Sequence, residues 1–149
     1  MLLILMINEK MQIWTIGHSN RSIDSFLQIL KGHQIQVLVD IRRFPTSKIE
    51  HFKREQLQKW LQEHDIEYVW LGSELGGYRR GGYRRYMKTK LFREGIRKLC
   101  ELAVNKRVCL MCMEINPKYC HRRFVSANLE RKGATVIHII EKEQKNLIP

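Results

Sequence analysis

VCLMCMEINPKYCHRR, residues 108–123, decides how this chain folds. Residues 108–113 are an unbroken apolar run of strand length, the pattern of a strand covered on both faces rather than on one. A short Pro-containing loop follows, and then a helix that begins near Cys120, turns Phe124, Val125 and Leu129 inward and stops at Gly133. A buried strand feeding a helix that leads to another apolar run, 135–140, is the unit from which parallel sheets are built.

Working outward, the same unit recurs. Residues 11–16 are apolar and end at Gly17-His18-Ser19-Asn20, a turn. Ser22 caps a helix whose Ile23, Phe26, Leu27 and Leu30 keep helical spacing, with Gly32 just past its end. Residues 35–41 form a second strand, stopped before Pro45. Residues 53–64 put Leu57, Trp60 and Leu61 on one helical face, and 66–71 are a third strand. A long loop, 72–88, contains GGYRRGGYRRY; Thr89 then caps a helix carrying Phe92, Ile96, Leu99, Cys100 and Ala103 inward. Strand and helix alternate five times, which predicts an α/β protein of three layers, α/β/α, with a mostly parallel sheet of about five strands, flavodoxin- or Rossmann-like. The chain of 149 residues reads as one domain, its core about 11–140, with an apolar extension at 1–10 and a polar tail at 141–149.

Twenty-seven Lys and Arg against fifteen Asp and Glu leave a formal charge of +12, which favours anionic partners: nucleic acid, nucleotides or phosphorylated metabolites. The opening MLLILMI is too short to span a bilayer and lacks the marks of a secretory signal, so no membrane partner is expected. Four cysteines in a chain of this length, without a secretory signal, read as the reduced thiols of a cytoplasmic protein.

In parallel α/β sheets ligands sit outside the carboxyl ends of the strands. That rule gathers His18, Ser19, Asp40, Arg42, the segment from Glu74 to Arg80, Cys112, Glu114 and His138 on one rim. The motifs WTIGHSN, VDIRRFPTSK, LGSELGGYR, YMKT, LMCMEINPKYCHR and VIHI, in this order, resemble those of domain-of-unknown-function family 488 of prokaryotic proteins, over about residues 11–140. The resemblance implies a compact, cytosolic α/β domain and brings with it no established activity. The doubled basic loop and the apolar extension look peculiar to this chain.

The residues themselves suggest several chemistries. Cys120, opening a helix beside His121, Arg122 and Arg123, has the surroundings that stabilise a thiolate. Cys112 and Glu114 are two apart and share a face if the strand persists. Cys112, Cys120, Glu114 and His18 are therefore candidate nucleophiles and proton carriers. Ser19, Asp40, Arg42, Arg79, His121 and Arg122 are candidate ligands for a phosphate-bearing substrate, a nucleotide or nucleic-acid end. Asp40 and Arg42 read equally well as a structural ion pair, and His138 as a hydrogen-bonded core histidine. Tyr78, Arg80, Tyr83, Arg84 and Arg85 would stack on bases and follow a phosphate backbone, which makes a non-catalytic single-stranded nucleic-acid-binding protein the alternative. A third use is a metal held by Cys112, Cys120, His121 and His18, although no paired C-x-x-C knuckle supports it. A thiol-phosphatase loop fails on spacing: six positions after Cys112 stands Lys118 rather than arginine. The residues do not identify a cofactor.

Overall fold

The computed structural model describes residues 11–141. The expected apolar extension and all but the first residue of the expected tail lie outside them. Strands β1 (Gln12–Gly17), β2 (Val37–Asp40), β3 (Glu67–Trp70), β4 (Val108–Cys112) and β5 (Thr135–Ile139) form one parallel sheet in the order β3-β2-β4-β1-β5. The order is neither the 3-2-1-4-5 of the dinucleotide-binding fold nor the 2-1-3-4-5 of flavodoxins. The fourth strand inserts between the first and second, pairing Leu110 with Thr15 on one side and with Val39 on the other. It is buried at every position, which is why it reads as a continuous apolar run.

Side chains leave β4 alternately to two layers. Cys109 and Met111 join Trp14, Ile16 and Leu38 beneath α1 (Ile23–Gly32) and α2 (Arg54–Glu63). Val108, Leu110 and Cys112 join Ile13, Val37 and Val39 on the opposite face. There they meet two further helices, of 16 and 10 residues, that come later in the chain. Residues 72–88, expected as a loop, contain two single turns of helix, α3 (Gly72–Leu75) and α4 (Tyr83–Tyr86), before α5 (Lys90–Asn105). The turns exist because Tyr83 and Tyr86 are wedged inward, their hydroxyls donating to the carbonyls of Leu75 at 2.7 Å and Glu74 at 2.5 Å.

Ser22 and Thr89 cap α1 and α5, each accepting from a backbone N–H three residues on. The last helix, α6 (Arg122–Arg131), starts two residues later than expected, because a turn of 3-10 helix over Pro117–Tyr119 intervenes and leaves Cys120 extended before it. Strand β4 also stops at Cys112. Glu114 therefore lies past the ladder, and strand alternation no longer fixes it on the face of Cys112.

Candidate functional site

The carboxyl ends of β1, β4 and β2 lie side by side and are locked together. The N–H groups of His18 and Ser19 donate to the carbonyls of Cys112 and Met113, both at 2.8 Å, and Ile41 N–H donates to Met111 O at 3.0 Å. Gly17 makes the join possible: a Cβ there would stand 1.8 Å from the carbonyl oxygen of Glu114. Over this junction opens a cleft of about 520 Å³ lined by Arg42, Arg43, Phe44, Thr46, Gly77, Tyr78, Cys112, Met113, Glu114, Tyr119, Cys120 and His121.

Cys120 and Cys112 meet on its floor, the one from the start of α6 and the other from the end of β4. Cys120 Sγ accepts the backbone N–H of Arg122 at 3.4 Å, lies 3.7 Å from His121 Nδ1 and is hydrogen-bonded by the Cys112 thiol. The Cys112 thiol first, then His121 and the backbone N–H, outweigh burial and bring the Cys120 thiol down to about 5. Cys112 moves the other way, well above its ordinary value, chiefly because it is buried and then because it donates to Cys120. One sulfur is thus held as a thiolate and the other as a thiol.

His121 is oriented from both sides. Its Nε2–H donates to the carbonyl of Ile41 at 3.1 Å, leaving Nδ1 for Cys120, and Gly77 lies so close that a Cβ would reach within 3.2 Å of Nδ1. Beneath the thiols lies Arg122, whose side chain is fully buried. It donates from Nη1 to Cys112 Sγ at 3.5 Å and from Nη2 to Ile115 O, and its Nε has no partner among the described residues. No carboxylate pairs with it among those residues; its guanidinium is held instead by the Cys112 sulfur, beside the Cys120 thiolate.

Other expected site residues are placed elsewhere or are already occupied. Arg42 lines the cleft, but its fork is filled: Nε and Nη2 pair bidentately with Asp40 at 2.9 and 2.8 Å, and Nη1 donates to Phe52 O at 2.7 Å. Asp40 is fully buried and also accepts from the Tyr68 hydroxyl at 2.6 Å, so this is a structural pair at a strand end. His18 does not line the cleft. Its ring stacks on Phe52 at 4.4 Å, on the layer of α1 and α2, and Nδ1–H donates to Ser19 O at 2.9 Å. Burial depresses it to about 4, which makes it a neutral buried group. Ser19 shapes the turn, with φ +43°. His138 bonds Thr15 Oγ1 at 2.6 Å, and burial lowers its affinity for a proton. Arg79 closes the end of α3 by donating to the carbonyls of Gly76, Gly72 and Ser73 and lies over the Tyr86 ring, so it does not line the cleft.

The Tyr/Arg loop divides. Tyr83 packs within 5.5 Å of the Phe124 ring and cannot offer a face to a base, whereas Tyr78, Arg80, Arg84 and Arg85 are exposed. Among the described residues no three His, Cys, Asp or Glu side chains converge as a metal site would; His18 turns to the other layer and the His121 nitrogens are both engaged. No helix of the described residues is long and apolar enough to cross a membrane.

Sequence reasoning passed over Arg43, Phe44, Met113 and Tyr119 as cleft residues. Arg43 and Phe44 adjoin Arg42 in the loop after β2, and that adjacency was the available signal. Phe44, Tyr78 and Tyr119, 62, 84 and 76 % exposed, give the mouth an aromatic rim.

Comparison with curated proteins and with solved structures finds no match. A family model does match residues 22–129, from the cap of α1 to the penultimate turn of α6, and so takes in β2, the Gly77 turn, both thiols and His121. The motifs of β1 and β5 fall outside the match. On that evidence the chain belongs to the family described as Domain of unknown function DUF488.

Proposed function

We propose that the protein is an enzyme that acts on a phosphate-bearing substrate, a nucleotide or a nucleic-acid end, with Cys120 as nucleophile. The observation that carries this reading is the environment of Cys120: a thiolate at the floor of a solvent-open cleft, held by a helix-start N–H and an oriented imidazole. Thiolates are kept in such surroundings when they must attack. His121 rather than His18 or Glu114 is the nearest proton carrier. Protonated, its Nδ1–H can pass to the oxygen that leaves as sulfur bonds to the substrate, and Ile41 O keeps the ring aimed meanwhile.

The phosphate preference rests on charge and on the rim. Arg43 lines the cleft, Arg80, Arg84 and Arg85 stand exposed nearby in sequence, and Phe44, Tyr78 and Tyr119 offer exposed rings against which a base can stack. These features favour a substrate with an anionic group at the thiol and a planar one at the mouth. The non-catalytic reading loses support through Tyr83, whose ring is committed to Phe124.

Footprinting tests this. Reduced protein is alkylated with iodoacetamide at pH 6.5 in the presence of adenosine monophosphate, a short 5′-phosphorylated oligonucleotide or inorganic phosphate, and modification of Cys120 is followed by mass spectrometry. The nucleotide and the oligonucleotide are expected to slow it at least fivefold, and phosphate less. Equal rates with and without all three would sink the reading.

A further inference from the structure

A nucleophile of this kind needs one sulfur, yet the cleft floor contains two. Cys112 is 2 % exposed and sits beside Cys120, its S–H shared between the Cys120 sulfur and the Glu114 carbonyl at 3.9 Å. Both sulfurs touch one residue, the Arg122 N–H reaching Cys120 Sγ at 3.4 Å and the Arg122 Nη1 reaching Cys112 Sγ at 3.5 Å. They come from separate elements, the end of β4 and the residue pair before α6, with the 3-10 turn between. Cys100 and Cys109 share none of this: Cys100 is on the buried face of α5, and Cys109 packs under the α1 and α2 layer. Nothing in nucleophilic catalysis explains a buried thiol hydrogen-bonded to the attacking sulfur and contacting a guanidinium with no carboxylate partner among the described residues. A resolving thiol would be built this way.

We propose that Cys112 and Cys120 are a redox-active dithiol that reduces hydroperoxides, Cys120 being the sulfur attacked first and Cys112 the sulfur that closes the disulfide. In the first step the Cys120 thiolate attacks one oxygen of ROOH. The S–O bond forms as the O–O bond breaks, two electrons pass from sulfur to the peroxide, and the departing alkoxide takes the proton of the His121 imidazolium to leave as ROH. In the second step Cys112 sulfur attacks the Cys120 sulfenic sulfur. The S–S bond forms, the S–O bond breaks, and the hydroxyl leaves with the Cys112 proton as water. The sum is two thiols and one hydroperoxide giving a disulfide, an alcohol and water. Arg122 stabilises charge on Cys112 as it attacks, through the Nη1 contact already in place. The proposal goes beyond the phosphate reading and does not depend on it, since it needs only that Cys120 be reachable through the cleft.

The test uses hydrogen peroxide on the whole reduced chain. After equimolar peroxide, two of the four thiols should be lost, the intact mass should fall by two hydrogens, and a non-reducing peptide map should join the Cys112 and Cys120 peptides; dithiothreitol should restore both thiols. In Cys112→Ser no link forms, and Cys120 accumulates as a sulfenic acid captured by dimedone. In Cys120→Ser, Cys112 stays reduced. A wild-type map with no such link, a link through Cys100 or Cys109, or equal dimedone capture in wild type and Cys112→Ser would overturn the proposal. The wild-type map is decisive even if a variant fails to fold. Nucleotide protection of Cys120, measured in Cys112→Ser, is a separate readout, so either idea can fail alone.

Discussion

Cys112 and Cys120 carry the same functional group, and their surroundings divide the labour between them. The ionisation of Cys120 has a direct pH signature. Its alkylation rate should rise through a midpoint near pH 5 and be flat above about 6, because the thiolate reacts and the thiol does not. His121→Ala removes a group that favours the charged sulfur, so the midpoint should move up toward the ordinary thiol range, readable from iodoacetamide kinetics between pH 4 and 9. His18 gives an opposite kind of test, on stability. Its folded value, about 4, lies below the ordinary 6.5 of histidine, so the unfolded chain takes up the proton first. Stability is full above pH 6.5, falls as the pH drops toward 4 and levels off below. At about 1.4 kcal/mol per pH unit the loss is about 3.5 kcal/mol at most. Urea unfolding at pH 7 and at pH 4.5 should show most of it, and His18→Gln should remove it. Of what holds the Cys120 thiolate, His121 and the Arg122 N–H were legible beforehand as chain neighbours; the larger effect of Cys112, which arrives from β4, was not, and the Arg122 and Arg123 guanidiniums turn instead to Cys112 and to Lys118 O. The occupation of Arg42 was not legible either, because Phe52 O and the Tyr68 hydroxyl arrive from elements that sequence spacing does not connect.

At the level of elements, the strands were readable and the basic loop was not. A strand buried on both faces needs only to be apolar, and β4 announces that in its own composition. The turn Tyr83–Tyr86 depends instead on Phe124, some forty residues on, and on carbonyls of α3 to which its tyrosines donate. No local pattern contains that information, and the same composition read as a flexible, base-stacking loop. Two glycines show how tightly the elements close on the site. Gly17→Ala would place a methyl 1.8 Å from Glu114 O, backbone against backbone, and should cost several kcal/mol in urea unfolding or prevent folding. Gly77→Ala meets a ring nitrogen at 3.2 Å, which a slight turn of His121 can relieve. It should therefore leave the melting temperature nearly unchanged while raising the pH midpoint of Cys120 alkylation, by less than His121→Ala does.

For the whole molecule, the charge of +12 and the position of the cleft at the junction of three strand ends together define what the fold offers a ligand. If the exposed arginines of the 80–85 loop guide a phosphorylated strand toward the thiol, binding of a 5′-phosphorylated oligonucleotide should weaken linearly in log-log fashion with salt. Arg80→Ala/Arg84→Ala/Arg85→Ala should lower both the affinity and the slope, measured by fluorescence anisotropy from 50 to 300 mM salt. The parallel, three-layer architecture was legible because alternation of strand and helix is a property of the entire chain. The insertion of β4 between β1 and β2 was not, since strand order leaves no mark on composition. Arg122 has a consequence on this scale as well. Its guanidinium, buried with no carboxylate partner among the described residues, rests on Cys112 Sγ, which in turn neighbours the Cys120 thiolate, so capping Cys120 with a neutral adduct removes the negative charge nearby and leaves that cation less compensated. The chemical state of one sulfur then sets how much heat the entire domain withstands: carbamidomethylated protein should melt several degrees below the reduced form, and Arg122→Met should narrow that gap.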